Sequence, residues 1–256
     1  MNKINVKTIV YTGIMMALVF LGTSFIKIPT PITSGYIHLG DAFVLLSGFI
    51  LGPIFGAFAA GMGSALADIM GGYVPWALPT FLIKGLMAAV VGYFAIKKDN
   101  TTVILSATTL FAVIWAGFNF LLRSLLSNQV TLNSTELVAE VEVANTTELI
   151  NLSASIQDKL LIAGLLVPVL LAVLIFTISK RSSIRFSPVY SLGFIISGSF
   201  MIVGYYFASW IMYGSAIIPI FGIPFNILQF IGGIIIAHLL LPISLDLQTR
   251  MKKQVQ

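Results

Sequence analysis

The sequence predicts an all-α integral membrane protein, and three observations carry that reading. Of the 256 residues, 58% are hydrophobic and only 9% are charged, whereas a soluble chain carries about 25% charged residues. The apolar runs are long enough to cross a bilayer, which takes roughly 20 residues of helix. The basic residues gather at the boundaries of those runs. No polar stretch exceeds about 35 residues, short of the ~50 a separate domain needs, so 1–256 reads as one membrane domain.

The first apolar run, 8–28, follows Lys3 and Lys7. It lacks a small-x-small cleavage site and reads as a spanning helix rather than a cleaved signal. Pro29, Thr30, Pro31, Ser34 and Gly35 end it in a loop. Two apolar arms follow, 39–51 and 53–70, separated by Gly52-Pro53. The first arm would rise only about 20 Å, short for a span. A turn at 71–77 leads to a span at 78–96, closed by Lys97, Lys98, Asp99 and Asn100. Further spans are read at 103–125, 159–179, 189–213 and 223–244, giving eight membrane segments.

Charge placement orients them. With the N-terminus in the cytoplasm, the cytoplasmic boundaries hold Lys3, Lys7, Lys97, Lys98, Lys180, Arg181, Arg185, Arg250, Lys252 and Lys253, ten of the 14 basic residues. Cytoplasmic loops carry such an excess, and the C-terminus is then cytoplasmic as well. Lys27, Arg123 and Lys159 fall at the outer boundary. The positive charge thus flanks spans and does not argue for nucleic acid.

The outer segment 126–158 holds Glu136, Glu140, Glu142, Glu148 and Asp158, five of the nine acids. Asn133 and Asn145 each precede a Glu by three residues, as a capping box does. Two short surface helices are expected, as a solvated connector or a docking site for a partner.

Function is sought where polarity enters the membrane. A charge at membrane depth costs about 3 kcal/mol or more and is normally paired or faces a cavity. Asp41, Asp68 and Lys84 are such groups. Between the acids, Gly48, Gly52, Gly56, Ala60 and Ser64 recur every four positions, a row that predicts a tightly packed helical hairpin. Asn226 and Gln229 lie one turn apart in the last span. Tyr206, Ser209 and Tyr213 share a face of the span before it. The loops add Tyr36, His38, Tyr73 and Trp76. All fall in the outer half, with the inner half nearly all apolar except His238. A channel would be polar through its full depth. This pattern suits a pocket open on one side, with aromatics to stack on a ring and amides to bond it. Substrate contacts are expected from Tyr36, His38, Asp41, Asp68, Trp76, Lys84, Tyr206, Asn226 and Gln229. Asp68 with Lys84 also reads as a structural pair, or as the proton relay of an autonomous proton-coupled secondary transporter. Asp41 and Asn226 also read as helix caps.

Catalysis has little support. There is no cysteine, no HExxH or Walker A motif, and Ala65 follows Gly63-Ser64 where an intramembrane serine protease has Gly. Neither enzyme activity nor a metal site is expected.

The stretch HLGDAFVLLSGFILGPIFGAFAAGMGSALADIMGGYVPWALPTFLIKGLMAAVVGYF resembles the second to fourth helices of the substrate-binding S components of energy-coupling factor (ECF) transporters, in particular the riboflavin-transporter-like group. The end, GSAIIPIFGIPFNILQFIGGIIIAHLLLP, is similar to that group's last helix with its Asn and Gln. The resemblance covers about 29–96 and 189–244. It implies a six-helix vitamin-binding subunit of a bacterial cell membrane, with residues 1–102 as four core helices and 186–256 as two more. It implies no cofactor in this subunit. ATP would be used only by two partner ATPase subunits, joined to a transmembrane coupling subunit that docks on the first helix, where Gly13 and Ala17 match. Expected substrates are riboflavin-like, pyridoxine-like or pyrimidine precursors. Residues 103–185 depart from that pattern and read as an inserted helical pair.

Overall fold

The computed structural model describes residues 6–30, 32, 35–180 and 187–253. Its centre is α2, Gly40–Met70, a 31-residue helical element that turns back on itself. Gly52 has φ 78° and ψ −177°, backbone angles essentially restricted to glycine. Pro53 follows and has no N–H to close a helical bond onto Phe49. A Cβ added to Gly56 would lie 2.6 Å from the Cα of Gly48. Eight residues of straight helix would hold the two about 12 Å apart. The element is therefore the expected hairpin, with arms 40–51 and 53–70, and small residues let the arms touch. The Phe49 carbonyl released by Pro53 accepts a hydrogen bond at 2.7 Å from Gln248 Nε2 in the last helix.

The other elements dress this hairpin. The first helix, α1 (Val6–Ser24), packs along it, with Gly63 against the Met16 carbonyl and Val19. Two short strands follow, β1 (Ile28–Pro29) and β2 (Tyr36–Ile37). They pair antiparallel with Ile28 opposite Ile37, where the sequence suggested only a loop. A 3₁₀ turn, Val74–Trp76, leads into α3 (Ala77–Ala95), which lies against both arms of α2. Helix α7 (Pro188–Tyr213) packs on α3, and α8 (Ile218–Lys253) packs on α2 and α7. Asp99 fixes the start of α7. Its Oδ1 accepts from Ser187 Oγ and, at 3.4 Å, from the backbone N–H of Val189. Val44, Leu45, Phe49, Met87, Ala88, Phe194 and Phe221 form the dry centre, while Leu78, Leu82, Ile114 and Ile211 face outward.

Residues 101–180 form α4 (Thr101–Leu132), α5 (Ser134–Val141) and α6 (Thr146–Lys180). Helices α4 and α6 pair and lean on α7. Both run beyond the expected 103–125 and 159–179, so the acidic segment contains one short helix and the first turns of α6 rather than two short surface helices. Leu137, Val141, Leu149 and Ile156 are buried there, while Glu136, Glu140, Glu142, Glu148 and Asp158 are exposed. Apolar spacing along one helical face stabilises these turns despite their charge. The cap at Asn145 forms: its side chain accepts from Glu148 N at 2.9 Å, and the Glu148 carboxylate accepts from Ala144 N. The cap at Asn133 does not, because its amide donates to Gln129 instead.

Among the described residues seven helices are long and apolar enough to cross a membrane. The sequence count of eight differs from this at α2, where two arms belong to one bent element. Lys3, Pro31, Ser34, Arg181 and Arg185 lie outside the described residues.

Candidate functional site

The ends of five helices meet around one cavity of about 70 Å³. Its wall includes Thr23 at the end of α1, Asp68 at the end of α2 and Thr80 at the start of α3. Tyr205, Tyr206 and Ser209 come from the last turns of α7, and Asn226 and Gln229 from the first turns of α8. Tyr36, His38, Tyr73 and Trp76 close it from the connecting segments. The local chain explains the placement. The β1–β2 pairing holds Tyr36 over the end of α2, and Gly214, in a left-handed conformation with φ 69°, ends α7 beside the cavity.

Seven of the nine expected substrate-contact residues lie on this wall: Tyr36, His38, Asp68, Trp76, Tyr206, Asn226 and Gln229. Asp41 and Lys84 do not. Both side chains are fully buried beneath the cavity and form an ion pair with each other. Lys84 Nζ also meets Met201 Sδ at 3.1 Å and stands 5.3 Å from the centre of the Tyr205 ring. Gln229 covers the pair: its Nε2 donates to Asp41 Oδ2 at 2.9 Å, and its Oε1 accepts from the backbone N–H of His38 at 3.1 Å. Asp41 is thus an ion-pair partner, and its carboxylate is not the cap of its own helix.

The expected pairing of Asp68 with Lys84 is replaced by two separate arrangements. Lys84 is taken by Asp41. Asp68 Oδ1 accepts from the Tyr36 hydroxyl at 2.6 Å, and its Oδ2 is buried without a partner among the described residues. A relay running directly from Asp68 to Lys84 has no bond to run through. The Tyr36 hydroxyl is pushed well above its ordinary pKa by burial and by the Asp68 carboxyl, so it remains a donor. Burial lowers the His38 pKa to about 3. The neutral ring matches its geometry, since Nδ1 accepts from the Gly40 N–H at 3.0 Å.

Aromatic rings form much of the remaining wall. Tyr36 and Tyr73 are 4.7 Å apart between centres, and Trp76 is 6.1 Å from Tyr205. Lys27 lies over the Tyr36 and Tyr73 rings at 4.6 and 5.5 Å and donates to the Ala67 carbonyl. Tyr205, Thr23 and Thr80 were not singled out by the sequence. Tyr205 adjoins Tyr206, and its hydroxyl donates to Thr80 across the cavity wall at 3.2 Å. The polar spacing Thr80–Lys84, one helical turn, was the available signal for Thr80.

The wall thus combines aromatic faces with hydrogen-bonding groups. A model of the family described as "ECF-type riboflavin transporter, S component" matches residues 3–175. The chain belongs to that family. The match contains α1 to α5 and most of α6, including the stretch from 103 read as inserted, and ends before α7. Family membership and the apolar helices make it a multi-pass protein of the bacterial plasma membrane, in a family of substrate-binding subunits for vitamin transport.

Several curated proteins are similar over a shorter stretch. A protein of Pyrococcus woesei described as "uncharacterized protein in gap 3'region" is 41% identical over 92 residues, 36% of this chain and 62% of its own length. A UPF0397 protein of Streptococcus agalactiae serotype Ia is 37% identical over 97 residues, 38% of this chain and 53% of its own. A UPF0397 protein of Streptococcus pneumoniae strain Hungary19A-6 is 39% identical over 92 residues, 36% and 50% respectively. The chain therefore spans about half to three fifths of the length of the relatives it matches. No solved structure matches it.

Proposed function

We propose that this chain is the capture subunit of an ECF-type transporter and binds a vitamin or related small heterocycle in the cavity between its helix ends. The observation that carries this reading is the composition of the cavity wall. Tyr36, Tyr73, Trp76 and Tyr205 offer ring faces, and Asp68, Thr23 and Asn226 offer hydrogen-bonding groups, in one cavity. Small-molecule sites combine apolar or aromatic walls with a few placed polar groups. Below the wall lie the Asp41–Lys84 pair and the packed residues Leu45, Met87 and Phe194.

On this reading the chain uses no cofactor of its own. ATP is hydrolysed by two partner ATPase subunits, and a transmembrane coupling subunit docks on α1 at Gly13 and Ala17. An added Cβ on Gly13 would meet nothing within 4 Å, which supports an open face there. The core is then a six-helix bundle with both termini cytoplasmic, to which α4 to α6 are added.

Mass spectrometry of the small molecule that copurifies with the detergent-solubilised chain tests the reading. A heterocycle released on denaturation is the expected result, together with copurification of a coupling subunit and ATPases from cells that express them. Uptake by this chain alone, abolished when the proton gradient is collapsed, would overturn it.

A further inference from the structure

Asp68 is half satisfied. Tyr36 donates to Oδ1 at 2.6 Å, while Oδ2 is buried and has no partner among the described residues. The residue is 4% exposed and lies on the cavity wall. Thr23, 1% exposed and on the same wall, carries a second buried oxygen without a partner. Buried polar atoms are almost always bonded, and an orphaned acceptor is destabilising unless something outside the chain completes it. The missing group is a donor, because a carboxylate oxygen only accepts.

The surroundings specify the donor further. The rings of Tyr36, Tyr73, Trp76 and Tyr205 share the wall with Asp68, and aromatic faces attract cations. The nearby protein cation, Lys27, is engaged elsewhere: it bonds the Ala67 carbonyl, stands over the Tyr36 and Tyr73 rings, and is not part of the wall. The Lys84 ammonium is held by Asp41.

We propose that the site selects a nitrogen heterocycle that presents a protonated or amidine-like N–H edge to Asp68 Oδ2, an aminopyrimidine being the simplest example. The ring would lie among the four aromatic side chains, with Thr23 beside its edge. This rests on the reading that the cavity is the substrate site.

The test is titration of the purified chain in detergent, followed by its intrinsic tryptophan fluorescence and by calorimetry. Three probes are used: an aminopyrimidine, the pyrimidine that carries methoxy in place of its exocyclic amine and so has no N–H donor, and riboflavin. The aminopyrimidine should bind on the order of tenfold tighter than the methoxypyrimidine, the effect of one hydrogen bond to a charged group. Asp68→Asn should abolish that preference. Should Asp68→Asn fail to fold, the comparison of the two pyrimidines on the wild-type chain decides alone, with Thr23→Val as the second wall variant. Equal or tighter binding of the methoxypyrimidine, or riboflavin binding that Asp68→Asn leaves unchanged, overturns this inference and leaves the capture reading standing. Failure of every ring compound to bind, with no small molecule copurifying, overturns both.

Discussion

Lys84 reaches back 43 residues to bond Asp41, and both side chains are completely removed from solvent. Desolvating two charges costs several kcal/mol each, which their attraction offsets only if the remaining hydrogen-bonding capacity is also met. Here Gln229 supplies the bond to the second carboxylate oxygen, and Met201 contacts the ammonium. The pair therefore couples the first arm of α2, α3 and α8 directly beneath the cavity.

Removing one member leaves the other as an unpaired buried charge. Lys84→Met is expected to destabilise the protein by about 3–5 kcal/mol. Joining it to Asp41→Asn should restore most of that loss, since no charge then remains to be stranded. Unfolding in detergent, measured for both single variants and the double variant, gives the coupling. Equal additive losses would show that the pair is not the unit of stability.

The two amides of α8 should separate in their effects. Gln229 is committed to Asp41 and to the His38 backbone. Gln229→Ala strands both and is expected to cost about 2 kcal/mol or more of stability, in addition to any loss of ligand. Asn226 is half-buried on the cavity wall. Asn226→Ala should change stability by less than about 1 kcal/mol and weaken ligand binding selectively. Thermal unfolding and ligand titration on both variants check this, and matching stability losses would remove the distinction.

What the sequence conveyed well was depth along each helix. Asp41, Asp68, Asn226 and Gln229 were assigned to one level because they sit near element ends, and the structure gathers all four around or just below the cavity. What it conveyed poorly was rotation about each helix. Asp41 opens one arm of the hairpin and Asp68 closes the other, so both arrive at the same level. Which of them faces Lys84 depends on how the arms are turned, and Lys84 meets the more distant one. Tyr206 lies on the wall as expected, but its neighbour Tyr205, which also does, was passed over. The hairpin itself was legible, because Gly48 and Gly56 have no use for their spacing except close contact across Gly52. The extension of α4 and α6 was missed because the charges of 126–158 drew attention from Leu149, Ile156 and Leu160, which mark one buried helical face.

His38 gives the site a defined response to acid. Its burial outweighs the attraction of Asp41, and Lys84 and Lys27 add to the depression, so its pKa falls to about 3 from the ordinary 6.5. Between those values the unfolded chain binds a proton that the folded chain excludes. Stability is therefore complete above the ordinary value and falls as pH drops through this window, by up to about 1.4 kcal/mol per pH unit. Thermal unfolding in detergent at about pH 7.5 and about pH 5 should show the loss. A His38→Asn variant, whose side-chain oxygen can still accept from Gly40, should show a flatter profile. An unchanged pH response in that variant would assign the acid sensitivity to another group.

The small residues of α1 and α2 should behave oppositely when enlarged. A Cβ on Gly48 would sit 2.0 Å from the Ala88 carbonyl oxygen, a backbone atom that cannot move aside without shifting α3. Gly48→Ala is therefore expected to destabilise by about 1–3 kcal/mol, the usual range for overpacking. Gly13 meets nothing, so Gly13→Leu should leave the isolated chain within about 0.5 kcal/mol of its original stability. If Gly13 lies on the docking face, the same substitution should abolish copurification with the coupling subunit, since a small-residue stripe is what lets two membrane helices approach closely. Coexpression with the coupling and ATPase subunits, followed by affinity capture, measures this directly. Undiminished copurification of Gly13→Leu would move the docking face off this part of α1, while a loss of stability in the isolated chain would mean that Gly13 packs within the bundle.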